Sequence, residues 1–181
     1  LQRNIKNPDR LRNIITDYNP PASWRPRKAD KASAYRTFWK YYLRQVIIKR
    51  EWVELAGLCD SILYGSGYDN IESEYRTYCR PYAYEYENIL SYFVFRYFLK
   101  GAFDRDVLTK VKMAIVSTLM IMQCDMAVWK RNGGSLSFTE RVDIAHLYSR
   151  EVEHSEENFA ALCKLFAHKK VFDEAGLDVL L

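Results

Sequence analysis

The stretch from Asp104 to Gly133 limits what this chain can fold into more than any other. From Met113 to Met122 it reads MAIVSTLMIM, interrupted only by Ser117 and Thr118. Successive helical residues are about 100° apart, so such a run covers every side of the cylinder, and a helix apolar all round is a buried one. Asp104 is a candidate N-cap with Asp106 in the first turn, and Lys130 and Arg131 before Asn132-Gly133-Gly134 give the stop signal. A membrane span takes about 18 or more apolar residues with few charges. Here Lys110 and Lys112 lie just before the run, and Gln123 and Asp125 just after it. The expectation is an all-α, multi-helix bundle around a buried central helix at about 106–129, with no membrane partner.

Composition narrows this further. Seven Gly and five Pro in 181 residues supply few tight turns, which argues against the many hairpins of an all-β fold. Nearly half of the residues are hydrophobic, enough for one sizeable core. The net charge of +4 hides an asymmetry: residues 1–50 hold 13 Lys or Arg against 3 Asp, leaving 14 basic and 20 acidic residues behind them. A basic front can meet an acidic protein surface, an acidic neighbouring domain or nucleic acid. Cys59, Cys79, Cys124 and Cys163 are 20, 45 and 39 positions apart, with no Cys-x-x-Cys pair. This spacing is no metal framework, and it suits a reducing cytoplasm.

Along the chain, Asn7-Pro8-Asp9 reads as the start of a short helix that Pro20-Pro21 ends. Residues 1–30 are therefore expected to be a basic short helix and a Pro-rich connector, and 31–181 a helical domain. The connector carries Arg25, Arg27 and Lys28 beside Trp24, a candidate partner-binding patch too small to specify nucleic acid. Ser33 to Tyr64 has apolar residues at helical spacing, expected as one helix or two with a bend near Arg50-Glu51. The Tyr-rich segment 68–86 reads as a loop with a short helical turn, with a substrate-binding aromatic groove as the sharper alternative. Glu87-Asn88 is expected to open a helix that ends at Gly101. Ser137-Phe138-Thr139-Glu140 is a capping box for a helix expected to continue to about Phe166.

On the polar side of that last helix stand Asp143, His146, Arg150, Glu153, His154 and Glu157, spaced so that neighbours can touch. Glu151-x-x-His154 matches the spacing of bundle di-metal sites, but the second such pair is missing, and His146 and His154 lie roughly 12 Å apart along a helix. No metal site is expected. No Gly-rich phosphate loop, nucleophile elbow or Ser/His/Asp arrangement is present. The stripe is either a solvated ion-pair ladder or a polar cluster buried against a neighbour. The buried version places Arg150, Glu153 and His154 against Glu87 and Asn88 of the earlier helix, and with His146 these form the candidate functional cluster.

Three segments carry a resemblance: Tyr86-Glu87-Asn88-Ile89-Leu90-Ser91-Tyr92, Leu108-Thr109-Lys110-Val111-Lys112, and Ser149-Arg150-Glu151-Val152-Glu153-His154-Ser155. Over about residues 80–166, and more loosely over the remainder, the sequence resembles the C-terminal half of the flagellin lysine-N-methylase family. The resemblance implies methyl transfer to the ε-amino groups of flagellin lysines, with S-adenosylmethionine as donor and an iron–sulfur cluster in a cysteine-rich part towards the N-terminus. The four scattered cysteines depart from that pattern, and the chain begins with Leu, so the expected reading is a piece of a longer protein. On that reading it holds no cofactor, is inactive alone, and has flagellin and the cysteine-rich portion as partners. The alternative is a non-catalytic helical protein-interaction module.

Overall fold

The computed structural model describes residues 30–173 together with 176, 177 and 180. The expected N-terminal helix and the connector with Arg25, Arg27 and Lys28 lie outside the described residues. Helix α1, Lys31–Tyr42, is capped by the Asp30 carboxylate, which accepts from the Ala32 N–H at 3.0 Å. Its buried residues Tyr35, Phe38, Trp39 and Tyr42 recur at three- and four-residue intervals on one face. Helix α2 is Arg50–Ile62. The chain between them is not a bend within one helix but a seven-residue break from 43 to 49. Val46-Ile47-Ile48 is a β-branched run that disfavours helix, and side chains from far along the chain satisfy its backbone. The Glu151 carboxylate accepts from the Ile48 and Lys49 N–H groups, and Asn158 both accepts from the Val46 N–H and donates to its carbonyl.

The Tyr-rich segment is helical where a loop was expected. Helix α3, Tyr68–Cys79, buries Tyr68, Glu72, Tyr75 and Cys79 along one stripe. A glutamate on the inward face broke the apolar pattern, yet Glu72 is held there by Lys31 at 3.2 Å and Arg76 at 2.7 Å. A short 3-10 turn, Arg80–Tyr82, leads into α4, Ala83–Asp104. This helix starts before Glu87-Asn88 and runs through Gly101 rather than ending there. A Cβ at Gly101 would lie 3.0 Å from the Val107 Cα, so glycine is used for a close helix crossing and not as a cap. The chain turns at Arg105 in the left-handed conformation, φ 61°.

Helix α5, Val107–Arg131, is the expected central helix. Its N-cap is Asp106, accepting from the Thr109 N–H; Asp104 instead pairs with Lys110 at 2.7 Å. Gly133 and Gly134, both at positive φ, turn the chain after it. Helix α6, Phe138–Val152, opens on the expected capping box. It does not continue to Phe166: the chain breaks at Glu153–Ser155, and α7, Glu156–His168, begins with Ser155 accepting from the Asn158 N–H. Sequence reading passed over this second cap, with Glu156 and Glu157 behind it.

Helices α2, α3, α4, α6 and α7 all pack on α5, and α4 lies along it most extensively. Aromatic contacts bring α1 into the same core, with Trp39 against Trp52 at 4.8 Å and Phe38 against Phe172 at 4.6 Å between ring centroids. The most apolar 18-residue window of α5 is long and apolar enough to cross a membrane, but 83% of it is buried inside the fold, as a core helix is. Helix α4 is less buried than its composition suggested: Tyr84, Phe95, Phe98 and Phe103 are exposed, Phe103 by 89%.

Candidate functional site

The polar residues of α6 part into two directions instead of forming one cluster. Glu153, just past the helix end, turns inward, its side chain only 1% exposed. It accepts from Tyr97 at 2.5 Å, Ser149 at 2.8 Å and Tyr92 at 3.2 Å, and pairs with Arg96 at 2.8 Å. It therefore meets α4, as the buried reading required, but two turns beyond Glu87 and Asn88. Those two residues and His154 are exposed. Arg150 is exposed as well and faces α2. The continuous stripe failed because the helix stops at Val152, which releases Glu153 from the face that carries Arg150.

Arg150 and His146 instead line a cleft of about 530 Å³ between α2 and α6. Its floor is Leu55, Leu58, Ile144 and Leu147. Around the rim stand the carboxylates of Glu51, Glu54 and Asp143 and the cations of Lys49, Arg131 and Arg150. Glu151, near the end of α6, holds the amides of Ile48 and Lys49 just before α2 begins, so the two helices pass in opposite directions. Glu51 and Arg150 thus share one end of the cleft, with Leu58 and Asp143 at the other.

Sequence reading missed a second polar assembly on the other side of α5. The Tyr86 hydroxyl donates to Asp125 Oδ2 at 2.7 Å, and the Tyr75 hydroxyl lies 2.6 Å from that of Tyr86, completing a relay into the core. Burial, opposed by the Tyr86 hydrogen bond and by Arg141, raises the Asp125 carboxyl to about 7. Asp125 Oδ1 and Trp129 Nε1, one turn apart on α5, are buried without a hydrogen-bond partner among the described residues. Tyr75 and Tyr78 pack on Trp129, and Arg141 forms a bidentate pair with Glu85 at 2.7 and 3.1 Å while lying over the Tyr82 ring. The available signal was an acidic residue and a Trp at i and i+4 on a helix otherwise apolar, opposite a row of tyrosines.

An iron–sulfur cluster does not fit the cysteines of this chain. Cys59, Cys79 and Cys124 are buried free thiols on α2, α3 and α5, and burial pushes the Cys79 and Cys124 thiols up, away from the thiolate that ligation needs. Among the described residues no three His, Cys, Asp or Glu side chains stand close enough together to hold a metal ion.

No curated protein and no solved structure matches the chain. The profile of the FliB lysine N-methylase C-terminal domain does, over residues 3–180. That span takes in the seven α-helices of the described residues, the α2–α6 cleft and the Asp125 assembly. The chain belongs to the FliB lysine N-methylase C-terminal domain family.

Proposed function

We propose that this chain is the domain with which a flagellin lysine N-methylase holds its substrate and scaffolds its remaining parts, supporting methyl transfer to the ε-amino groups of flagellin lysines. The observation that carries this reading is the family match across nearly the whole chain. Two structural features support a recognition role over a chemical one. The described cysteines and acidic residues are unsuited to a cluster or a metal, and α4 presents Phe95 and Phe103 to its surroundings, the kind of apolar face that docks another protein surface. On this reading S-adenosylmethionine and an iron–sulfur cluster are held by the remainder of the methylase, which works in the cytoplasm. Arg25, Arg27 and Lys28 add a basic patch for an acidic partner surface.

The test is methylation of purified flagellin, read by mass spectrometry of its lysines, with the whole methylase and with a version lacking this domain. Loss of methylation without the domain, recovered when the 181-residue chain is added back, is the expected result. Unchanged rate and lysine pattern without it would assign the chain to a helical interaction module with no part in methyl transfer.

A further inference from the structure

Helices α1 and α2 enclose a second depression, on the other flank of α2 from Leu55 and Leu58. It is a groove of about 510 Å³ with an apolar lining: Trp39 and Leu43 of α1, and Val53, Ala56 and Gly57 of α2. Leu43 and Val53 are exposed, and a Cβ at Gly57 would meet nothing within 4 Å, so the groove is open along the middle of α2. The Arg36–Asp60 pair at 2.7 Å marks one end, with Leu43 and Val53 at the other. Lys40, on the α1 edge, has no ion pair among the described residues. A stretch of matching pattern stands in this chain ahead of Asp30. Residues 8–18, PDRLRNIITDY, place Leu11, Ile14, Ile15 and Tyr18 at i, i+3, i+4 and i+7, the stripe with which a helix seats in a groove. A helix shorter than about 12–15 residues is marginal in water unless a surface supports it. The stripe from Leu11 to Tyr18 and the α1 wall from Arg36 to Leu43 both span two helical turns, about 10 Å.

We propose that residues 8–18 dock as a helix in the α1–α2 groove, parallel to α1, with Leu11 at the Arg36–Asp60 end and Tyr18 at the Leu43 end. The handedness of the helices fixes which flank of the stripe meets which wall. In the parallel direction Asp17 comes to the α1 edge near Lys40, and Arg12 to the α2 edge near Asp60; Arg10 is left towards Arg36, which Asp60 already neutralises. The opposite direction brings Asp17 towards Asp60 and Arg12 towards Lys40, like charge against like. The connection suits the parallel direction too. From Tyr18 back to Lys31 the chain must cover the length of α1, about 18 Å, and residues 19–29, with Pro20, Pro21 and Pro26, reach about 34 Å when extended. The connector that carries Arg25, Arg27 and Lys28 is thereby tied at both ends along α1, so the basic patch is presented from a fixed edge of the domain.

The test uses the whole 181-residue chain. Amide hydrogen exchange read by mass spectrometry should find residues 11–18 exchanging about tenfold or more slowly than an unstructured peptide. G57W fills the groove from an open position of α2 and is expected to return them to the unstructured rate, with exchange in α1 and α2 unchanged. E157W, at an exposed site on α7, should leave them protected. K40E should speed exchange of residues 11–18, and D17K/K40E should slow it again, a rescue that loss of structure alone would not give. A photoreactive benzoylphenylalanine at Ile14 should crosslink to residues 36–60 of the same chain, isotopically heavy and light chains being mixed to tell one copy from two. The crosslink is read in an otherwise unaltered chain, so it decides the matter even where G57W fails to fold. Residues 11–18 that exchange as an unstructured peptide overturn the assignment, and so does protection that persists in folded G57W. Crosslinks between two copies, or to the exposed phenylalanines of α4, overturn it as well.

Discussion

Replacing Asp125 by Asn should convert a pH-dependent fold into one less sensitive to pH. The carboxyl moves from an ordinary value of 3.8 to about 7 on folding, chiefly because α5 carries it into the core; Arg141 opposes the shift and Glu85 adds to it. A raised acid binds its proton more tightly in the folded state, so the folded protein is favoured while Asp125 is protonated. That advantage is complete below the unfolded value near 4 and is lost as pH rises towards about 7, after which the loss levels off. Three units correspond to about 4 kcal/mol in all, of which about 2.5 kcal/mol falls between pH 5 and pH 8. Against a net stability of roughly 5–15 kcal/mol this is large. The assay is urea unfolding of the parent and of Asp125→Asn across pH 5 to 8, taking the difference between the two so that groups common to both cancel. The stability of the Asn variant relative to the parent should climb by about 2–3 kcal/mol over that range. A difference that stays flat within about 0.5 kcal/mol would refute the argument and mean that Asp125 reaches solvent or a compensating cation.

Two further outcomes follow from the same structure. Glu151→Ala deprives the Ile48 and Lys49 amides of their acceptor and should cost about 2–4 kcal/mol by urea unfolding, with faster hydrogen exchange confined to the 43–49 connection. Arg150→Ala, at an exposed residue without an ion pair among the described residues, should shift stability by less than about 1 kcal/mol, and a larger loss would show that the residue is bound within the fold after all.

What could be read from the sequence, and what could not, divides by the range of the interactions concerned. The central helix was legible because ten consecutive residues carry its own burial signal, needing no knowledge of any neighbour. The cap at Ser137 was legible for the same reason, since the box closes within four residues. Helix α3 was not, because Glu72 looks like a solvent residue until Lys31, forty-one positions earlier, is brought beside it. The break before α2 depends on Glu151 and Asn158, more than a hundred positions away. At the site, the spacing put the polar residues of α6 on one stripe with one neighbour, and the structure divides them. The helix end after Val152 sends Glu153 to α4 and leaves His146 and Arg150 to α2, a division that only the position of Ser155 could have announced.

The polar residues within α5 explain how a helix apolar on every side keeps a single rotation in the bundle. Hydrophobic burial is non-directional, so it would reward several rotations of such a helix almost equally. Ser117, Gln123 and Asp125 remove that freedom, because at about 100° per residue they point in three different directions. Each meets a tyrosine from a different helix: Ser117 accepts from Tyr148 of α6, Gln123 donates to Tyr68 of α3, and Asp125 accepts from Tyr86 of α4. Turning α5 by one residue would break all three contacts and leave buried polar groups unmatched, at about 1–3 kcal/mol each. None of these residues lines the α2–α6 cleft. The contacts that set the rotation of the core are therefore separate from the charges that face the cleft, so a substitution at Glu51, Glu54 or Asp143 leaves the fold beneath it standing.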